Sequence, residues 1–255
     1  MEKALTLKKS LGQHFLHDEA VCREIVGHID RQPGLRLLEI GPGGGALTKY
    51  LLEWENTDYR AIEVDAEKVR FLSRQYPAIK DKILHMDFLK AAPPFAGPFT
   101  VVGNFPYNIS SSILFRILDW EQQVTEVIGM FQKEVAQRIT AREGNRTYGI
   151  LSVLVQAFYD TTYLFDVPPA AFTPPPKVTS GVIRLVRSGN PYAIADRKAF
   201  TGLVKAAFNQ RRKTLRNALR GVLPADILME PLFGKRAEQL SVADFADLYK
   251  TYFPG

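Results

Sequence analysis

The tetrad Asn104-Phe105-Pro106-Tyr107 has the residue types and order needed to hold an aromatic amine for attack. An exocyclic amine such as N6 of adenine is a poor nucleophile, because its lone pair is delocalised into the ring. The Asn104 side-chain carbonyl and the Phe105 backbone carbonyl could each accept one of its N–H groups and favour a pyramidal nitrogen whose lone pair is available to a methyl donor. Pro106 restricts the residue before it to extended backbone, which aims the Phe105 carbonyl. Tyr107 offers a ring on which a base stacks. The same four residues also suit a plain turn after a strand, so the upstream sequence has to choose between the two readings.

Upstream lies Glu39-Ile40-Gly41-Pro42-Gly43-Gly44-Gly45, between an expected strand and an expected helix. Glycines there let the backbone turn tightly and approach a ligand closely. Glu63, 22 positions after Gly41, stands where a carboxylate binds ribose hydroxyls. Ala46 sits where the third glycine of a dinucleotide loop falls. That substitution is tolerated, so NAD stays open. An acid directly before the loop suits a ligand with an ammonium better than a diphosphate, and looks more like the S-adenosylmethionine loop of class I methyltransferases. Asp87 follows a third expected strand and could accept from a cofactor adenine; the alternative for it is a turn or helix cap. Glu39/Gly41, Glu63, Asp87 and Asn104 all fall at the C-terminal ends of successive expected strands, where open α/β sheets bind ligands.

The elements that must position these residues alternate. Strands are expected at 35–40, 59–64, 82–85, 99–103 and 126–130, with a late strand at 181–186. Helices are expected at 19–29, 46–53, 66–75, 111–118 and 133–142; 149–158 fits either state. This is the pattern of an α/β fold with a mainly parallel sheet and helices on both faces. Ser188-Gly189-Asn190-Pro191 reads as a linker. Beyond it the pattern is all helical, at 196–208, 214–222 and 241–252, with a short turn near 224–228. The domains expected are therefore 1–188, carrying the cofactor, and a helical 189–255. Residues 1–18 are polar and basic and read as an arm.

Of 255 residues, 46% are hydrophobic and 24% charged, an ordinary globular composition. The single cysteine, Cys22, excludes an intramolecular disulfide and reads as a buried small hydrophobe in a reducing compartment. No apolar run approaches a membrane span, and the start lacks a signal peptide, so a cytoplasmic location is expected. No His/Cys cluster points to a metal. The formal charge of +6 is concentrated: residues 187–255 hold 12 Lys/Arg against 6 Asp/Glu, and the rest carries 21 of each sign. That asymmetry points to a polyanionic partner. Its densest part is Arg211, Arg212, Lys213, Arg216 and Arg220. On a helix, Arg212, Arg216 and Arg220 share one face, which suits phosphate contacts; a solvated amphipathic face is the alternative.

Taken together, these motifs resemble the ribosomal RNA adenine N6,N6-dimethyltransferases of the KsgA type. The pieces are Lys9–Leu16 (KSLGQHFL), Glu39–Thr48 (EIGPGGGALT), Glu63-Val64-Asp65, Asp87-Phe88, Gly103–Ser110 (GNFPYNIS), Met130–Arg138 (MFQKEVAQR), Phe172–Ser180 (FTPPPKVTS) and Phe208–Asn217 (FNQRRKTLRN). The resemblance implies a Rossmann-like domain binding S-adenosylmethionine, with His14, Leu16, Gly41, Glu63, Asp87 and Asn104 at the cofactor. It makes Phe172 the aromatic that meets the target adenine opposite Tyr107. The chain departs from the family at His14, commonly Asn, and at Phe105, commonly Leu. The implied activity is dimethylation of two adjacent adenosines near the 3′ end of small-subunit ribosomal RNA, by a monomer acting on the subunit or its precursor. Rival readings are a large-subunit methyltransferase of the macrolide-resistance type and an assembly factor whose role does not depend on catalysis.

Overall fold

The computed structural model describes residues 14–253, so the Lys9–Gln13 part of the N-terminal motif lies outside the described residues. In chain order the elements are β1 (Phe15–Leu16), α1 (Glu19–Gly27), β2 (Arg36–Ile40), α2 (Thr48–Leu51), β3 (Asp58–Glu63), α3 (Ala66–Gln75), β4 (Ile83–His85), β5 (Phe99–Asn104) and α4 (Ser110–Asp119). They continue as β6 (Val124–Gln132), α5 (Lys133–Thr140), α6 (Ile150–Gln156), β7 (Tyr159–Val167), β8 (Phe172–Thr173), β9 (Ser180–Arg187), α7 (Arg197–Asn209), α8 (Leu215–Ala218) and α9 (Val242–Tyr252).

These elements form two compact units, one built from residues up to 136 and from 162–187, the other from 137–161 and 188 onward. The first holds a seven-stranded sheet in the order β4-β3-β2-β5-β6-β9-β7. β4 through β6 are parallel and β9 joins antiparallel to β6. From β2 the chain steps outward through β3 to β4, then returns to lay β5 on the other side of β2. The connections from β2 to β3 and from β5 to β6 run in opposite directions along the sheet, the arrangement that places helices on both faces of a doubly wound sheet. The break between β2 and β5 is the switch point at which such sheets open a ligand crevice.

Local chemistry sets the boundaries. Asp18 caps α1 by accepting from the Ala20 and Val21 amides. Asp65 caps α3 by accepting from the Glu67 amide, so that helix begins immediately after the acidic end of β3. Fully buried Leu37, Leu38, Val101, Val102, Val127 and Ile128 fill the central strands, the continuous apolar runs of a sheet covered on both faces. A two-stranded β1–β8 pair matches Leu16 to Phe172 and Phe15 to Thr173. Cys22 is buried, and burial pushes its thiol up to about 11.

In the second unit α6 packs on α7 and α9. Phe208 lies between Tyr148 and Phe245, with centroids at 6.2 and 5.7 Å. Asp196 caps α7 through the Lys198 and Ala199 amides, and Ser241 and Asp244 form the capping box of α9.

Two expected helices are much shorter than their pattern, the segment that fits either state is a helix, and the strand β7 has no counterpart in the pattern. The helix expected at 46–53 is regular only over Thr48–Leu51. The segment 149–158 is helical over Ile150–Gln156, where the Gln156 side chain donates to the carbonyls of Ile139 and Ala141. The helix expected at 214–222 is confined to Leu215–Ala218, because Arg220 already forms a bridge with Leu223. Arg212 lies in the turn before it; Arg212, Arg216 and Arg220 are not a single helical stripe.

Candidate active site

At the C-terminal edge of the parallel strands lies a cleft of about 580 Å³. Because β4, β3, β2 and β5 are parallel neighbours, Asp87, Glu63, Glu39/Gly41 and Asn104 arrive at one rim, and all line it. His14, Leu16, Gly43, Phe105 and Tyr107 line it as well.

The floor is the glycine loop. Gly41 follows β2 with a φ of 65°, and a Cβ built on it would meet nothing within 4 Å, so its backbone borders open space. Its amide donates to the Ile62 carbonyl at 2.9 Å, tying the loop to β3. Glu63, 4% exposed, accepts from the Gly43 amide at 3.2 Å through one oxygen and from the Asp65 amide at 2.9 Å through the other. Under the loop, Glu39 is 2% exposed, and one of its oxygens accepts from Thr48 Oγ at 2.8 Å and from Tyr59 Oη at 2.5 Å. Burial pushes the Glu39 carboxyl up to about 7, although both hydroxyls favour the charged form. Asp87 caps the 3₁₀ turn Phe88–Lys90 through one oxygen, accepting from the Leu89 amide at 3.0 Å. Its other oxygen makes no hydrogen bond among the described residues, so the cap and a ligand contact do not compete.

The rim at β5 is held from several sides. The Phe105 ring is fully buried, edge-on to Phe131 at 5.0 Å. A Cβ on Gly103 would come within 2.7 Å of that ring, and one on Gly129 within 2.6 Å, so two neighbouring strands must be glycine there. The Phe105 amide donates to the Met130 carbonyl at 3.2 Å, while its own carbonyl accepts nothing among the described residues. Asn104 Nδ2 reaches the backbone carbonyl of His14 at 3.5 Å, which leaves Oδ1 as the free acceptor. His14 Nδ1 lies 2.8 Å from the Pro174 carbonyl and so carries the proton of that bond. The imidazole stacks on Tyr107 with centroids 5.8 Å apart. Burial raises the Tyr107 phenol above its ordinary value, and its hydroxyl shares a hydrogen bond with Ser180 Oγ at 2.5 Å.

Phe172 stands elsewhere. It is 2% exposed, packed in the core cluster with Leu16, Met130 and Val182, and is not part of the cleft lining. In this arrangement it offers no face to a base opposite Tyr107, because pairing of β8 with β1 turns its ring inward. The basic cluster is likewise divided. Arg211 donates to the carbonyls of Arg146 and Tyr148, and Arg216 to those of Leu228 and Met229. Arg212, Lys213 and Arg220 are exposed, and their side chains make no hydrogen bond among the described residues. Residue patterns alone do not point to Ser180 or Lys68; the latter is a buried lysine whose ammonium lies 5.1 Å from the Phe15 ring at the cleft. Among the described residues no group of three His, Cys, Asp or Glu could hold a metal, and no helix is long and apolar enough to cross a membrane.

The donor set tests which cofactor fits. Four carboxylates (Glu19, Glu39, Glu63 and Asp87) line the cleft with two lysines, Lys49 and Lys68, and Lys49 is paired with Glu19. Such a wall suits a cationic nucleoside with hydroxyl and amine donors, and disfavours a diphosphate. S-adenosylmethionine meets that requirement.

Comparison with known proteins agrees. A crystal structure of a dimethyladenosine transferase from Plasmodium falciparum superposes with a TM-score of 0.82 at 24% identity, over 93% of this chain and 97% of that one. A crystal structure of the 23S rRNA methyltransferase ErmE gives 0.70 at 24%, over 91% and 98%. At that identity the likeness speaks for the fold. The chain is 52% identical over 252 residues to "Ribosomal RNA small subunit methyltransferase A" of Cytophaga hutchinsonii, covering 97% of both. The protein of the same description in Flavobacterium johnsoniae is 51% identical over 249 residues, 96% of this chain and 95% of that one. A switch-point cleft with a glycine loop, two acids at the ends of β3 and β4 and Asn-x-Pro-Tyr at β5 defines a class I S-adenosylmethionine-dependent methyltransferase. Within that class, residues 4–253 match the model of "Ribosomal RNA adenine dimethylase", and the chain belongs to that family.

Proposed function

We propose that this enzyme transfers methyl groups from S-adenosylmethionine to N6 of adenines in small-subunit ribosomal RNA, two per base, on two adjacent adenosines near the 3′ end. The observation that carries the reading is the pair of unsatisfied acceptors at one rim: Asn104 Oδ1, oriented by the His14 carbonyl, and the Phe105 carbonyl, held by a buried ring. The relatives above 50% identity support the small subunit as substrate; the large-subunit enzyme is matched at 24%.

S-adenosylmethionine bound in the cleft would supply a methyl group activated by its positive sulfonium. Glu63 and the free oxygen of Asp87 would hold the ribose and adenine, and Gly41 and Gly43 would bring the loop backbone close. A target base must leave its stack to reach the rim, and Tyr107 offers it a ring. Asn104 Oδ1 and the Phe105 carbonyl accept its N–H groups, drawing the nitrogen toward the pyramidal form in which the lone pair attacks. As the N–C bond forms the methyl–sulfur bond would break, its electron pair leaving on sulfur as a neutral thioether; positive charge develops on nitrogen, both acceptors bind it more strongly, and the proton passes to solvent. Catalysis rests on positioning and on acceptors placed for the transition state.

Exposure of Arg212, Lys213 and Arg220 supports them as the RNA-phosphate contacts of the basic cluster, while Arg211 and Arg216 are engaged with backbone carbonyls. The enzyme acts as a cytoplasmic monomer on the small subunit or its precursor, with the expected 1–188 region as the catalytic part and 189–255 as the RNA-binding one, except that 137–161 groups with the latter rather than with the catalytic unit. The test is incubation of unmodified small subunits with S-adenosylmethionine, followed by nucleoside analysis. Paired N6,N6-dimethyladenosines near the 3′ end are expected; methylation only of large-subunit RNA would overturn the reading.

A further inference from the structure

Ser180 is the first residue of β9 and has no exposed surface. Its position is imposed by the sheet: antiparallel pairing places it opposite Gln132 at the end of β6, with Gly181 opposite Phe131 and Val182 opposite Met130. One residue earlier, the Thr179 carbonyl accepts from the Lys133 amide at 3.0 Å, which extends the anchoring past the strand end. A buried hydroxyl needs a partner, and Ser180 Oγ has one in Tyr107 Oη at 2.5 Å. Tyr107 follows β5 in a turn, and its backbone carbonyl accepts from Ser110 Oγ at 3.2 Å. A phenol ring on a single bond swings freely unless something holds its far end. Here the far end is tied to a strand, and the ring packs against His14, whose own imidazole is fixed to the Pro174 carbonyl.

We infer that Ser180 is a positioning residue for methyl transfer: its Oγ holds the Tyr107 hydroxyl and so sets the plane on which the target base stacks. This rests on the reading of Tyr107 as the base platform. A ring held at its far end by this bond has less to order during the reaction. Ser180 touches neither reacting atom; it acts through Tyr107.

The test is a double-substitution cycle read by single-turnover methylation of unmodified small subunits, with both substrates saturating. Ser180→Ala and Tyr107→Phe should each slow the step about tenfold, on the scale of one net hydrogen bond. The double variant should be no slower than either single one, because both remove the same bond. Binding of S-adenosylmethionine should stay within about twofold of wild type, a separation that general damage to β9 would not give. Tyr107→Phe keeps all the packing, so a wild-type rate in that variant overturns the proposal however Ser180→Ala behaves; additive losses in the double variant overturn it too. Tyr107→Ala separates the two layers. If it is slow while Tyr107→Phe is not, the role of Ser180 fails alone; if it keeps the wild-type rate, the platform reading fails with it.

Discussion

Glu63 at the end of β3 accepts the Gly43 amide at 3.2 Å, so the carboxylate expected to hold the cofactor ribose also pins the glycine loop. The other oxygen takes the Asp65 amide, close after the end of β3. One side chain thus couples the loop after β2 to the start of α3, and loop geometry and cofactor affinity should change together.

Glu63→Ala removes both. A hydrogen bond to a charged group contributes about 1.5–3 kcal/mol, so affinity for S-adenosylmethionine should fall by about 10- to 100-fold in calorimetry. Unchanged affinity would remove Glu63 from the site.

Asn104→Ala should act on the chemical step. Its Oδ1 is an acceptor whose interaction strengthens as the N6 nitrogen becomes positive, so loss should fall on kcat rather than on RNA binding. By analogy with oxyanion-hole donors, the single-turnover rate should drop about 10²–10³-fold. A rate within a few-fold of wild type would show that the acceptor lies elsewhere.

The basic cluster should divide in two. Replacing Arg212, Lys213 and Arg220 with Gln should weaken RNA binding and flatten its salt dependence, by about 0.7–0.9 in the log–log slope for each phosphate no longer neutralised. Thermal stability should hold, since these side chains make no hydrogen bond among the described residues. Arg216→Gln should instead cost stability, about 1–2 kcal/mol, because it unties the carbonyls of Leu228 and Met229. Equal effects of both sets on the salt slope would refute the division.

Glu39 gives stability a pH dependence. Its folded-state pKa is raised from the ordinary 4.5 to about 7, chiefly by burial. Folding therefore takes up a proton between these values: the site's contribution is full below about pH 4.5 and is lost as pH rises through about 7. Glu39→Gln removes the titration. Relative to wild type, the ligand-free variant should gain up to about 3 kcal/mol between about pH 5 and about pH 8. Parallel melting curves across that range would count against it.

Much of the site is legible in the sequence because its signals are local. A strand ending in glycines, an acid at the end of the next strand and Asn-x-Pro-Tyr after another are each written in a few consecutive residues, and the parallel topology their alternation implies brings them to one edge. Helices with a capping residue and a regular apolar face, such as Ala66–Gln75, are legible to the residue. Tyr159–Val167 is not, because an edge strand, half exposed along its length, shows neither a buried run nor a clean alternation.

The rest depends on partners distant in sequence. Tyr107 finds Ser180 only because β5, β6 and β9 are neighbours in the sheet. Phe172 is drawn into the core by pairing with Leu16, some 150 residues away, and its type alone could not separate a core ring from a base platform. Five basic residues read as one patch, yet two of them are used on backbone carbonyls brought to them by the fold. Residue type and spacing decide which chemistry is possible; which atoms are left free to perform it is settled only when folding has satisfied every other donor and acceptor.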